Sequence, residues 1–203
     1  LKLRIIIDWL RANLNEFVKR EERCVLPRLK DFVLDVLELL DTAYANNEEV
    51  RMLIADVEDA FHTLGIRKDE RKFQIVRGLD GEFIGYETVL FGGGASPGVW
   101  GRGAAYLGRS GQSLFDEKEL RVEVFVDDPA IVARGSSEIE CSRRMIVLLL
   151  WWMVLGLRLS WKKMEFGSQI HWIGTTISIV DRRRVKVELT EMFCDKVKKA
   201  NQE

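Results

Sequence analysis

The stretch that most constrains this chain is LRVEVFVDDPAIVARG, residues 120–135. Two adjacent carboxylates, Asp127 and Asp128, lie between two short apolar runs. Before them Val122, Val124 and Val126 alternate with Arg121, Glu123 and Phe125, the period of a half-buried strand. After them Pro129 leads into a second strand-like run, residues 130–133, closed by Gly135. The pattern predicts a β-hairpin with a carboxylate pair at its tip. An arbitrary Asp-Asp ordinarily serves a turn, where its side chains cap nearby backbone. A third carboxylate changes that reading, because Asp56, in IADVEDAF, also ends an apolar run. Three carboxylates converging from two strands repel one another unless a cation sits among them. Magnesium takes such hard oxygen ligands, and enzymes that move phosphoryl groups use it.

Composition sets the frame for that site. The 203 residues suit one domain, or one domain with a small insertion, and a hydrophobic share of 47% supports a packed core. The net charge of -1 does not announce a nucleic-acid binder. Residues 158–203 are richer in basic than in acidic groups and include Arg182-Arg183-Arg184, a run that reads first as a solvated loop. Cys24, Cys141 and Cys194 are odd in number and far apart, which predicts free thiols in a reducing compartment. His62 and His171 stand in no metal-ligand spacing. The chain begins at Leu1 and shows no signal peptide, so it reads as an intracellular fragment of a longer polypeptide. MIVLLLWWMVLGL, residues 145–157, falls short of the ~20 apolar residues that span a bilayer. It predicts a buried helix, and no membrane partner is expected.

In chain order, residues 2–8 suggest a short strand with Arg4 on its exposed face. Leu29, Phe32, Val33, Val36, Leu37 and Leu40 form one apolar helical stripe after Pro27. Asn46-Asn47 marks a turn, and residues 50–55 form the strand that delivers Asp56. FQIVRG and EFIGYETVL flank Leu79-Asp80-Gly81, a strong hairpin signal. FGGGASPGVWGRGAAYLG, residues 91–108, lacks the Gly-Lys-Ser/Thr of a nucleotide-binding P-loop. Its glycines allow close backbone approach, and a helix with Ser96 as cap and Pro97 first is expected to reach about Leu114. Ser136 or Ser137 caps the next helix, which Gly156 ends. Two strand-like runs broken at Gly174 follow, then an amphipathic helix start over residues 189–199. Such a succession predicts an α+β fold with an antiparallel sheet.

The order of these pieces resembles the reverse transcriptase family across nearly the whole chain. KLRIIIDWLRANLN is similar to the fingers strand whose arginine contacts the incoming triphosphate, here Arg4. VLPRLKDF resembles the segment leading into the palm. DVEDAF matches the first palm motif, with Asp56 as metal ligand and Phe61 at the sugar-contacting position. FGGGASPGVWGR, with Gly92, is similar to the second motif, which cradles the template and nascent base pair. FVDD is the third and most specific match. GLRLSWKKMEF resembles the fourth, with Lys163 in the place of its lysine, and IHWIGTTIS resembles the primer-grip hairpin, with Trp172, Ile173 and Gly174. Two departures stand out. Leu90-Phe91-Gly92 replaces the usual Pro-Phe-Gly of retrotransposon enzymes, and Phe125-Val126 replaces Tyr-Val. Neither removes a metal ligand.

The resemblance implies a right-hand polymerase palm, its antiparallel sheet flanked by helices, with partial fingers and the start of a thumb. Residues 1–45 are then partial fingers, 46–66 and 91–180 palm, 67–90 a fingers/palm hairpin, and 181–203 the start of the thumb. It implies DNA synthesis on an RNA or DNA primer–template from dNTPs. Two Mg2+ ions (or Mn2+) would be held at Asp56, Val57, Asp127 and Asp128, with Asp59 near the triphosphate and Lys163 a proton donor to pyrophosphate. Retrotransposon enzymes, including those of protist genomes, are the most similar kind, and the rest of a polyprotein is expected to be missing. Asp59 reads equally as a helix N-terminal carboxylate, Lys163 as an exposed lysine, and Phe61 and Trp172 as core residues. Two alternatives stay open: a decayed remnant that binds nucleic acid weakly, and another palm-type two-metal polymerase or cyclase.

Overall fold

The computed structural model describes residue 16, residues 25–78 and residues 80–200, the last four without side chains. The strand expected at residues 2–8, Arg4 and Cys24 lie outside the described residues. Two compact units divide the chain: residues 26–58 with 105–203, and residues 59–104 with 1–25.

The first unit is built on a four-stranded antiparallel sheet. Its strands are β1 (Glu49–Ile54), β4 (Leu120–Phe125), β5 (Asp128–Gly135) and β6 (Glu165–Gly167), in the order β4-β5-β1-β6. Two helices sandwich it, because β1 and β5 are apolar on both faces. Val50, Met52, Ile54, Ala130 and Val132 face α1 (Leu29–Asn46), which buries Phe32, Val36, Leu39, Leu40 and Ala43 against them. The buried stripe is turned from the expected one. Leu39 is inside, while Val33 and Leu37 are only half-buried. Asn47, in the left-handed conformation (φ 54°), ends α1 and returns its N–H to the Ala43 and Tyr44 carbonyls.

On the other face lies α3 (Glu138–Val154), packed on β5 and β1 and burying Cys141, Met145, Leu148, Leu149 and Trp152. Ser137 caps it by accepting from the Glu140 N–H, and Gly156 (φ 89°) stops it, both as the sequence predicts. Gly111 lets the end of α2 (Ser96–Gln112) approach α3. A Cβ there would stand 2.4 Å from the Leu148 side chain. Trp152 uses that closeness to donate to the Leu107 carbonyl at 3.2 Å.

A second sheet, β7-β8-β9, packs beside α1 in the same unit: β7 (Gln169–Trp172), β8 (Thr175–Asp181) and β9 (Arg184–Leu189). Strands β6 and β9 were not expected. Leu189 ends β9, so the final helix, α4 (Glu191–Ala200), starts later than its periodicity suggests. The arginine run is an exposed turn, as expected, and it also makes contacts. Arg182 donates to Asn47 Oδ1 at 3.0 Å, Arg183 lies 4.4 Å from the Tyr44 ring centre, and Arg184 opens β9. Cations there meet the negative end of the α1 dipole.

The other unit carries 3-10 turns at Ala60–Thr63 and Arg71–Phe73 and a hairpin of β2 (Ile75–Arg77) and β3 (Phe83–Gly85). The hairpin is where Asp80-Gly81 places it, but each strand is only three residues long. Phe61 packs here against Phe91 and Trp100, with ring centres 4.7 and 6.2 Å away. Ser96 is the first residue of α2 rather than its cap.

One electrostatic feature of the first unit sets a pH dependence. On β4, Arg121 ion-pairs with Asp35 (2.8 Å) and Glu38 (2.5 Å) of α1. Glu123, beside them, is pushed up to about 7 by burial first and then by the Asp35 and Asp31 charges. Asp35 is also raised, by burial. A carboxyl raised in the folded state binds its proton more tightly there than in the unfolded chain. Stability therefore falls as pH climbs from about 4.5 through about 7. Glu123→Gln removes that ionisation. It is expected to raise Tm at pH 8 and to leave it little changed at pH 5, in thermal melts at the two pH values.

Candidate active site

The site begins in the backbone of the first unit. β1 and β5 pair antiparallel from Glu49 opposite Gly135 to Ile54 opposite Ala130. Two further bonds carry that register on: Ala55 N–H to the Pro129 carbonyl at 3.0 Å, and Val57 N–H to the Asp127 carbonyl at 2.9 Å. Asp56 thus stands opposite Asp128, between two bonded pairs. Opposed residues in such a non-hydrogen-bonded pair have Cα atoms about 4.5 Å apart and side chains on one face. The regular ladder ends at Ile54 because Pro129 has no N–H to return to the Ala55 carbonyl.

Phe125 pairs with Asp128, leaving Val126 and Asp127 as a two-residue turn. The tip therefore carries only Asp127, whereas Asp128 is the first residue of β5, and Val126 belongs to the turn rather than to the alternating strand. Val126 has φ 54°, a left-handed conformation at a hairpin position where glycine is favoured. A β-branched residue there is strained by about 1–3 kcal/mol, and such strain concentrates at functional sites. The turn is what lets adjacent Asp127 and Asp128 escape the strand rule that would send them to opposite faces.

The other edge of the Asp56 segment is held by residues 158–160, a pairing not anticipated. Glu58 N–H donates to the Arg158 carbonyl (2.8 Å), Ser160 N–H to the Asp56 carbonyl (2.9 Å), and Val57 bridges Leu159. A 3-10 turn at Trp161–Lys163 follows and brings Lys163 Nζ to 2.6 Å from Asp56 Oδ1. The Lys163 end of this pair is exposed, whereas Asp56 is mostly covered (58% and 16% side-chain exposure). Asp128 is raised to about 6 by burial first, then by the charges of Asp127 and Asp56, with Lys163 opposing. Asp128 thus lies within electrostatic reach of both other carboxylates. Among the described residues no three His, Cys, Asp or Glu side chains are already gathered around a metal position. Asp56 is turned to the Lys163 ammonium instead. The donor chemistry, three hard carboxylates sharing excess negative charge, fits a divalent cation such as Mg2+.

The remaining predicted residues fall in known places. Val57 has a buried side chain, so only its carbonyl could serve a metal. Asp59 (φ 50°) precedes the Ala60–Thr63 turn without a side-chain cap bond, and its carbonyl accepts from His62 N–H at 2.8 Å. Gly92 (φ 90°) lies in the loop before α2, and Phe61 is buried. These last three belong to the other unit. Trp172 is a core residue that also reaches the site. Its Nε1–H donates to the Asp128 carbonyl at 3.0 Å, and its ring packs on Phe32 and Phe125 at 5.2 and 6.1 Å. Ile173 (φ 40°) and Gly174 (φ 79°) make the tight β7–β8 turn. At Gly174 a Cβ would meet the Phe193 ring at 2.7 Å. His171, which stands in no metal-ligand spacing, bonds Glu165 Oε2 through Nδ1 at 2.9 Å.

Comparison with known proteins follows the same lines. A family described as reverse transcriptase (RNA-dependent DNA polymerase) matches residues 3–177. A search of curated proteins finds no match. The foamy viral protease-reverse transcriptase in complex with double-stranded DNA is similar at 18% identity and TM-score 0.65, over 96% of this chain and 30% of that one. The foamy viral protease-reverse transcriptase in complex with an RNA/DNA hybrid is similar at 18% identity and TM-score 0.55, over 73% of this chain and 18% of that one. The chain spans less than a third of either, and at this identity the likeness establishes the fold.

The strained turn gives a direct test. Val126→Gly relieves the left-handed strain at the expense of some chain entropy, for a net gain on the order of 1 kcal/mol. Urea unfolding is expected to show a higher midpoint for the variant with the same slope.

Proposed function

Because the chain belongs to the reverse transcriptase family, we propose that it carries template-directed DNA polymerase chemistry, extending a primer on an RNA or DNA template with dNTPs. The observation that carries this reading is the register that sets Asp56 opposite Asp128 with Asp127 at the adjoining tip. Residues 46–66 and 91–180 then act as palm, 67–90 as the fingers/palm hairpin, 1–45 as partial fingers and 181–203 as the start of the thumb.

Asp56, Asp127, Asp128 and the Val57 carbonyl hold the divalent cations. When bound, Mg2+ supplies Lewis acidity toward the primer hydroxyl and charge neutralisation toward pyrophosphate. The chain's own groups do the rest. Asp56 and Asp128 present their carboxylates from one sheet face, so ligand positions derive from a ladder rather than from a mobile loop. Lys163 exchanges its contact with Asp56 for the triphosphate and donates a proton to the departing pyrophosphate. The family resemblance assigns Asp59 and Gly92 a role in binding the nucleotide, Arg4 one toward its phosphates, and the Trp172-Ile173-Gly174 turn one toward the primer end. The partners are thus a primer–template duplex and dNTPs, with intracellular synthesis.

Primer extension on RNA and DNA templates with Mg2+ tests the reading. The parent chain is expected to extend, and Asp127→Asn to lose roughly 100-fold or more in rate while keeping its Tm. No extension on either template by the folded parent rejects the proposal. Phe61 is proposed to gate the sugar. Phe61→Val is expected to raise rNTP relative to dNTP incorporation about tenfold or more, alongside a packing loss of ~1–3 kcal/mol. A lowered Tm with an unchanged incorporation ratio assigns Phe61 to packing alone.

A further inference from the structure

We propose that Trp172 is a positioning residue for the cation site, setting the Asp128 carboxylate through its indole bond to the Asp128 carbonyl. This role rests on the assignment of Asp128 as a metal ligand and is distinct from that of the β7–β8 turn toward the primer. Trp172 is 2% exposed and ends β7, and its Nε1–H reaches the Asp128 carbonyl at 3.0 Å. A buried indole N–H ordinarily finds some acceptor, as Trp152 does at the Leu107 carbonyl. What sets Trp172 apart is where its acceptor lies. Asp128 is the first residue of β5, whereas the regular β1–β5 ladder begins only at Ala130, opposite Ile54. Pro129, between them, brings no N–H to that ladder. The segment thus leaves the regular bonding of the sheet where its carboxylates start, and the indole supplies a bond there from a strand of the other sheet.

The donor is itself held on several sides. Phe32 of α1 and Phe125 of β4 pack on the indole with ring centres 5.2 and 6.1 Å away, and Phe125 is the residue paired with Asp128 across the hairpin. Behind it, Thr175 Oγ1 donates to the Trp172 carbonyl at 2.8 Å, within the β7–β8 turn. The Thr190 N–H and hydroxyl both donate to the Gly174 carbonyl, at 3.0 and 3.1 Å, and fasten that turn to the residue before α4. The indole therefore joins a braced turn to the backbone of a carboxylate residue. Partners one step behind a metal ligand fix its direction, and their loss weakens metal binding without removing a donor oxygen. Trp172 serves Asp128 in that way: with the carbonyl held, the carboxylate of the same residue keeps its bearing toward Asp56.

Mn2+ titration of the folded 203-residue chain, followed by electron paramagnetic resonance of the free ion, tests this without template or dNTP. Asp127→Asn identifies the site, since it is expected to abolish the tightest binding. Trp172→Phe removes the N–H, and Trp152→Phe makes the matching loss at a buried indole whose acceptor is Leu107. Both tryptophan variants are expected to lower Tm, but only Trp172→Phe to weaken the tightest Mn2+ binding, by about tenfold. In primer extension Trp172→Phe is expected to need about tenfold more Mg2+ for half-maximal rate, with KM for primer–template little changed. If Trp172→Phe does not fold, Trp172→benzothienylalanine, which keeps the bicyclic ring and replaces N–H by sulfur, gives the same comparison. A parent that binds Mn2+ but extends no primer rejects the polymerase reading alone, since the Mn2+ comparison still decides the role of Trp172. Mn2+ affinity unchanged by loss of the indole N–H, an equal loss in Trp152→Phe, binding indifferent to Asp127→Asn, or a parent that binds no Mn2+ overturns the proposal.

Discussion

Like charges held at close range are what the rest of this structure answers to. Asp56 and Asp128 face one another across a non-hydrogen-bonded pair, and Asp127 adjoins them at the tip. Left in a half-buried place without positive charge, such groups favour protonation, and Asp128 shows it by rising to about 6. The Lys163 ammonium on Asp56 offsets part of that repulsion within the chain. A divalent cation offsets more, because its charge is doubled and it can bind several oxygens at once. The backbone register therefore sets where these carboxylates stand, and Lys163 is the cation that meets Asp56 within the chain.

Two backbone irregularities make the convergence possible. Pro129 interrupts the β1–β5 ladder just where the carboxylates begin, and Val126 accepts a left-handed turn that a glycine would enter freely. Neither improves the sheet. Both aim side chains, and the surrounding packing holds them there. Trp172 is the clearest case, since its indole N–H fixes the Asp128 carbonyl while Phe32 and Phe125 fix its ring. A neutral bond of that kind contributes about 1 kcal/mol, but its placement ties the β7–β8 turn to the carboxylate hairpin. Packing and site geometry are one construction here.

Much of this was legible in the sequence, because periodicity and turn chemistry are local. The alternation before Asp127, the Asp80-Gly81 hairpin, the Ser137 cap and the Gly156 stop each depend on residues within a few positions of one another. The three carboxylates could be grouped because each ends an apolar run, and strands that deliver their ends together deliver their carboxylates together. Elements with weak local signals were missed. β6 is three residues beside a central strand, and β9 is a mostly exposed edge strand whose pattern reads as a charged loop.

What the sequence by itself determined is the set of chemical groups and the segment that carries each: Asp56 after β1, Asp127 and Asp128 at the β4–β5 hairpin, Lys163 beyond α3. Only the tertiary structure decided that Asp56 opposes Asp128 rather than Asp127, that Lys163 meets Asp56, and that Trp172 bonds the Asp128 carbonyl. It likewise decided which half of α3 is covered. The physical reason is the same in each case. Register between strands far apart in sequence is set by the sum of many pairings across the sheet, and a one-residue shift would leave every local pattern intact while sending each carboxylate to the other face.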